Sequence, residues 1–516
     1  MVKDKQAGIC RTEGDTNMKT MLERGAGILM PVSSLPSPYG IGTFGSAAYD
    51  FVDLLKKARQ KYWQVLPVGP TSYGDSPYQS FSAFAGNPYF IDLDTLVKEG
   101  LLTQDEINAC YWGDNPTQVA YDAVFWYRFT LLKKAYARSE YREEQGYEKF
   151  CMDSWFWLND YAFYMALKFH FDNKEWLAWP EDIRFRKKEA VESYREELKD
   201  EIDFWKFLQY KFYQQWGKLR AYANEQGISI IGDIPIYVAL DSADVWTHPE
   251  LFLLDEENLT PLKVAGVPPD AFSETGQFWG NPLYRWDVQE KTDFAWWKER
   301  MKASARLYDV VRIDHFIGVT QYYAIPAGSE DGKTGEWLKG PGKKLTDAIN
   351  MVIGDTKIIA EDLGIFVPEV KELLEETGYP GMKIIEFAFS GDRFNEHLPH
   401  MYSPNSVVYG RTHDNETLVG YFKPEARQWW ELQYIADYMG VSHQHEVVDK
   451  VLKTAYASVA SVVIFQAQDI LKLDSWARMN TPGTVGNNWR WRMKPGELTQ
   501  DHINHLSWLV DTFGRF

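Results

Sequence analysis

Residues 308–318 read YDVVRIDHFIG. The stretch opens as a short apolar run rich in β-branched residues, the pattern of a buried strand. It closes on Arg312, Asp314 and His315, three ionisable groups within four positions. Alternate side chains of a strand share a face, so Arg312 and Asp314 point the same way. Packing alone gives a buried strand no reason to end like this. One reading is a structural Arg–Asp ion pair, the other a corner of a functional site, and the rest of the chain decides between them.

Working outward, seven further segments read as strands, beginning near residues 27, 62, 228, 357, 382, 406 and 461. The third closes on Gly232–Asp233. Helical patterns separate several of them, such as AAYDFVDLLKKAR at 47–59 and PEVKELLEETG at 368–378. Eight strands alternating with helices predict an α/β fold, a (β/α)8 TIM barrel. An open doubly wound sheet is the alternative, but no Gly-rich dinucleotide fingerprint follows the first strand. Residues 1–20 are polar and aperiodic and read as a disordered N-terminal extension, leaving 21–516 for the barrel. Residues 92–226 read as a large, mostly helical and aromatic subdomain inserted between strands two and three. Further loop insertions belong at the C-terminal face, where barrels carry their active sites, and a loop-rich stretch at 241–300 is expected to cover it.

Composition narrows the function. The net charge of −18 disfavours a nucleic-acid partner. No apolar run is long enough to predict a membrane span. Three cysteines without metal spacing suit a reducing, cytoplasmic setting. The chain carries 21 Trp, 30 Tyr and 29 Phe. Some fill a large core, but sugar rings present apolar C–H faces that stack on aromatics, and the loop after strand two, GPTSYGDSPYQSFSAFAGNPYF, reads as the lining of such a groove.

The event at Asp314 recurs. Hydrophobic strands also end in Asp233, in Glu361–Asp362 and in the THDN of residues 412–415, which holds Asp414. Strand C-termini of a barrel open on one face, so these acids converge there. Like charges raise one another's pKa, so stability is no reason to gather them. A carboxylate metal site, glycoside chemistry and a non-catalytic polar cleft are the three uses available. Arg312 and the histidines argue against the metal. A guanidinium beside Asp314 favours the charged form a nucleophile needs, and Glu361, flanked by Ile359 and Leu363, has the surroundings of a general acid/base.

At these residues the chain resembles the 4-α-glucanotransferases called amylomaltases or disproportionating enzymes, glycoside hydrolase family 77 of the α-amylase clan. The likeness runs from about residue 25 onward through GILMPVSSLPSPYGIG, GDSPYQSFSAFAGNPY, IIGDIPIYVALDSADVW, GVPPDAFSETGQFWGNPLYRW, VVRIDHF, IIAEDLG, RTHDNET and ARMNTPGT. It implies Asp314 as nucleophile, Glu361 as general acid/base and Asp414 as transition-state stabiliser. It implies Arg312, His413, Tyr78, Asp233, Trp279, Ser76 and Gln277 in substrate binding, and Tyr73 in a secondary glucan site. It implies no metal and no cofactor, with maltooligosaccharides and other α-1,4-glucans as partners of a monomer or weak homodimer. Unlike the α-amylases, the third-strand motif GDIPIYV carries no histidine after its acid. An α-glucan hydrolase with the same residues is the alternative; a carboxylate-metal enzyme and a glucan-binding protein without catalysis are more distant ones.

Overall fold

In the computed structural model, which describes residues 21–269, 273–364 and 367–516, all eight expected strands lie in one parallel sheet. They are β1 (Gly25–Leu29), β2 (Tyr62–Gln64), β3 (Ser229–Pro235), β4 (Val310–Asp314), β5 (Lys357–Ala360), β6 (Gly381–Ile384), β7 (Ser406–Tyr409) and β8 (Val462–Gln466). Their order across the sheet, β6-β7-β8-β1-β2-β3-β4-β5, is chain order taken cyclically. That is the order of a (β/α)8 barrel. The seam falls between β5 and β6. Ala360 N–H donates across it to the Pro380 carbonyl at 3.0 Å. The next amide, Met382 N–H, donates at 2.7 Å to Asp362 Oδ1, a side chain doing the work of a strand.

β3 runs further than its sequence suggested. Gly232 does not end it: a Cβ at that position would stand 2.2 Å from the Tyr308 ring, so the glycine admits a neighbouring aromatic. The strand continues to Pro235, and Asp233 therefore sits inside it, 0% exposed.

Helices Tyr121–Arg138, Leu158–His170 and Lys199–Glu225 lie between β2 and β3. The last sets Phe204, Leu208, Phe212, Trp216 and Leu219 on one face, all buried. Its Trp216 indole donates to the Leu307 carbonyl at 2.9 Å, and Arg220 pairs with Asp309 at 2.7 Å, both at the entrance to β4. Burying one indole removes about 200 Å² from water, worth at most about 5 kcal/mol. These helices and the barrel share one continuous hydrophobic core.

The stretch at 241–300 is less loop-like than its composition. It supplies Lys263–Val267 and Gln277–Pro282 to a second, antiparallel sheet with Gln321–Pro326 and Glu336–Lys339. Each strand is short, and Lys263 pairs with Pro326 far along the chain, so no local pattern announces the sheet. The aromatic loop after β2 also divides: Phe84 and Phe90 join the core while Tyr78 turns to the strand ends. Among the described residues no helix is long and apolar enough to cross a membrane. The expectation for residues 1–20 lies outside the described residues.

Asp362→Ala deletes the acceptor of Met382 N–H at the seam. It is expected to cost about 1–3 kcal/mol, read as a lower urea midpoint. Unfolding together with the wild type would show that the carboxylate takes no part in closure.

Candidate active site

Sheet register builds the site. On β3 and β4, Asp233 pairs with Arg312 and Pro235 with Asp314. Arg312 Nη1 donates to Asp233 Oδ1 and Oδ2 at 2.8 and 2.7 Å and lies 2.9 Å from Asp314 Oδ1. Its Nε approaches Met382 Sδ of β6 at 3.3 Å, so the guanidinium reaches across the seam. Burial pushes the Asp233 carboxyl up while Arg312 pulls it down. Tyr78 adds a hydrogen bond to Asp233 Oδ2 at 2.9 Å. The resemblance put Asp233 among the substrate-binding residues; in the structure it is fully buried within β3, its oxygens bonded by Arg312 and Tyr78. Asp314, with 29% of its side chain exposed, is the member of this cluster that faces the opening.

Glu361 follows β5 directly, and its N–H donates to the Ile313 carbonyl at 3.0 Å, one residue from Asp314. Its carboxylate accepts His315 N–H at 2.7 Å and Leu363 N–H at 2.9 Å. The first bond depends on an unusual backbone: His315 adopts φ 52°, left-handed for a non-glycine residue. Burial, then the negative charge of Asp314, pushes Glu361 up to about 8, against the pull of Arg312 and the two amides. The His315 ring is pushed down to about 4 by burial and is neutral at pH 7. Glu361 and Asp362 thus separate by side-chain alternation: one turns to the cleft, the other to the seam.

Asp414 stands beyond β7. Asn480 Nδ2 donates to its Oδ1 at 2.6 Å, and His413 Nε2 lies 3.4 Å from Oδ2. The loop is pinned from below by a buried pair, Arg411 Nε to both Asp469 oxygens at 2.9 Å. Arg411 also donates to the carbonyls of Thr412 and Asn415 at 3.3 and 3.2 Å.

Two aromatic walls flank the acids. Tyr78 stacks on His413 at 5.0 Å and 12°, with Trp489 5.8 Å from each ring. Opposite, Trp279 meets the His315 ring edge-on at 4.8 Å, and its indole N–H donates to Gln277 Oε1 at 3.0 Å. Ser76 Oγ accepts Tyr78 N–H at 3.3 Å and shapes the turn that carries the tyrosine. The expectation placed on the Tyr73 side chain lies outside the described residues. Sequence reading missed Asn480, Trp489 and Glu386. Asn480 stands in the ARMNTPGT motif, where nothing in the sequence gives it a role. Glu386 ends the β6 segment as the other acids end theirs, but sits in an apolar run. It is buried and pushed up to about 8, with no hydrogen-bond partner for Oε2 among the described residues.

A nearly closed barrel with carboxylates of contrasting surroundings and ring-lined walls defines an enzyme of glycoside chemistry. The 4-alpha-glucanotransferase family model matches residues 30–499. A 4-alpha-glucanotransferase of Clostridium butyricum is 49% identical over 486 residues, 94% of this chain and 100% of that one. One from Thermus thermophilus is 44% identical over 504 residues, 96% of this chain and 99% of that one. Among solved structures, the amylomaltase from Streptococcus agalactiae in complex with acarbose matches with a TM-score of 0.92 and 42% identity, covering 96% of this chain and 100% of that one. The chain belongs to the 4-alpha-glucanotransferase family and is a transferase; the hydrolase alternative is not favoured.

In the unfolded chain Glu361 titrates near 4.5, in the fold near 8. Between those values the unfolded chain loses its proton first, so stability falls as pH rises through the window. Glu361→Gln, which cannot ionise, is expected to melt above the wild type at about pH 7 and to converge with it near pH 4. A melting difference that stays constant across that range would contradict a raised Glu361.

Proposed function

We propose that the enzyme transfers segments of α-1,4-glucan to the 4-hydroxyl of an acceptor glucan or glucose by retaining double displacement. Asp314 attacks the anomeric carbon while Glu361 protonates the departing glycosidic oxygen. The donor's non-reducing part is left as an ester on Asp314, and the released chain diffuses away. Glu361, now ionised, takes the proton of an incoming 4-hydroxyl, whose oxygen displaces Asp314. Asp414, exposed at the rim and held by Asn480, accepts sugar hydroxyl hydrogens. Trp279 and Gln277, carried by the 241–300 insertion that covers the cleft, and Tyr78 and His413 on the facing wall exclude water so that a sugar hydroxyl wins. Maltooligosaccharides and other α-1,4-glucans are the substrates, and the cysteine usage supports a cytoplasmic setting.

One observation carries this reading. Asp314 and Glu361 end adjacent strands in opposite surroundings, the first 2.9 Å from a guanidinium, the second buried and raised to about 8. One carboxylate poised to attack beside one that holds its proton at neutral pH is the division of labour that retaining chemistry needs. Asp314→Asn is expected to abolish the ladder of longer and shorter oligomers formed from maltotriose while the melting temperature is kept. Normal turnover by that variant would overturn the assignment. The general-acid role also predicts that kcat/KM falls above about pH 8, where Glu361 loses its proton. A flat alkaline limb would assign the proton to another group.

A further inference from the structure

A polymer longer than the cleft needs surface beyond it, and the barrel offers one past β6 and β7. Residues 388–400 follow β6 as a tight loop, and the chain beyond Asp414 rises into the helix Trp429–Met439. Both lie on the C-terminal face, because both follow strand ends that open there. Three large rings stand in solvent between them: Phe394 is 81% exposed, Trp429 78% and Trp430 41%. The helix docks through Tyr434, Ile435 and Met439, which leaves Trp429 mostly in solvent.

The patch is held in shape. Asn395 Nδ2 donates to the Phe387 carbonyl at 2.8 Å and to Ser390 Oγ at 3.0 Å, and Asp392 Oδ1 accepts Phe394 N–H at 2.9 Å. Trp430 lies against Gly391, where a Cβ would come within 3.1 Å of the indole and where φ is +94°. The patch is also tied to the framework of the cleft. Tyr421, in the segment that carries Asp414, donates to the Glu386 carbonyl at the end of β6. Arg427 stacks over that same tyrosine at 3.3 Å just before the helix begins.

The chemistry selects a sugar. Flat exposed rings set among Asp392, Gln428 and Gln433 match the apolar faces and hydroxyl rim of a pyranose. A net charge of −18 opposes an anionic membrane or nucleic acid. We propose that Phe394, Trp429 and Trp430 form an outer platform for a remote segment of a long α-1,4-glucan whose reacting end lies at Asp314; this rests on the glucanotransferase reading above. Binding energy gathered there holds a long donor in register without touching the reacting sugar.

Affinity electrophoresis in gels containing soluble amylose tests it, with every protein on the Asp314→Asn background so that the gel is not consumed. Replacing Phe394 and Trp429 together by alanine is expected to weaken amylose binding about tenfold, whereas Trp429→Phe keeps most of it because a ring remains. Retardation of the alanine variant equal to its parent overturns the platform. If the double variant melts lower than its parent, Trp429→Ala alone carries the test, since that side chain is mostly in solvent. Maltotriose turnover by the unmodified enzyme separates the two layers. A ladder together with undiminished retardation sinks the platform alone, whereas no ladder sinks the reading on which it stands.

Discussion

The buried contact between Arg312 and Asp233 is the constraint around which the site is arranged. Neither group has water to solvate it, with 4% and 0% of the two side chains exposed. A buried ion pair contributes little net stability, but removing one partner strands the other at a cost of about 3–5 kcal/mol. The fold therefore cannot easily lose either member. What the pair secures is position. Arg312 is fixed against β3 from one side, and its Nη1 then reaches Asp314 at 2.9 Å. Tyr78 is tied to the same aspartate, so one wall of the cleft and the cation beside Asp314 are set by a single buried carboxylate.

The contrast between Asp314 and Glu361 follows from where each falls relative to that cation. Asp314 lies against it and faces solvent. Glu361 lies one strand further round, enclosed, and takes its orientation from backbone amides. One of those amides is available because His315 accepts a left-handed backbone, a strain of about 1–3 kcal/mol that the surrounding packing sustains. The ring of His315 then meets Trp279, which ties the 241–300 insertion to the strand that carries Asp314.

Aromatic residues serve three distinct ends in this chain, and composition alone cannot sort them. Trp216 and Phe84 are core. Tyr78, Trp279 and Trp489 face the cleft, each held by a ring contact or hydrogen bond. Phe394, Trp429 and Trp430 stand outside both groups, on the face toward which the strands point. The same side chain does different work according to what the fold brings against it.

The linear sequence by itself determined the eight strands, their parallel barrel, the family, and the acids that gather at or near the strand ends. It could do so because a buried strand leaves a run of β-branched residues and because charge at the end of such a run conflicts with burial. Only the tertiary structure decided which acids reach the cleft. Asp233 looked like a strand end, but Gly232 is there for the Tyr308 ring, and the strand carries the aspartate on as a fully buried residue. Apolar flanks and the family likeness singled out Glu361 from its neighbour, but only the structure shows Asp362 turned to the seam, where it accepts Met382 N–H. Asn480, Trp489 and the antiparallel second sheet were invisible for one shared reason. Their roles lie in contacts with residues far along the chain, and non-local pairing leaves no periodicity to read.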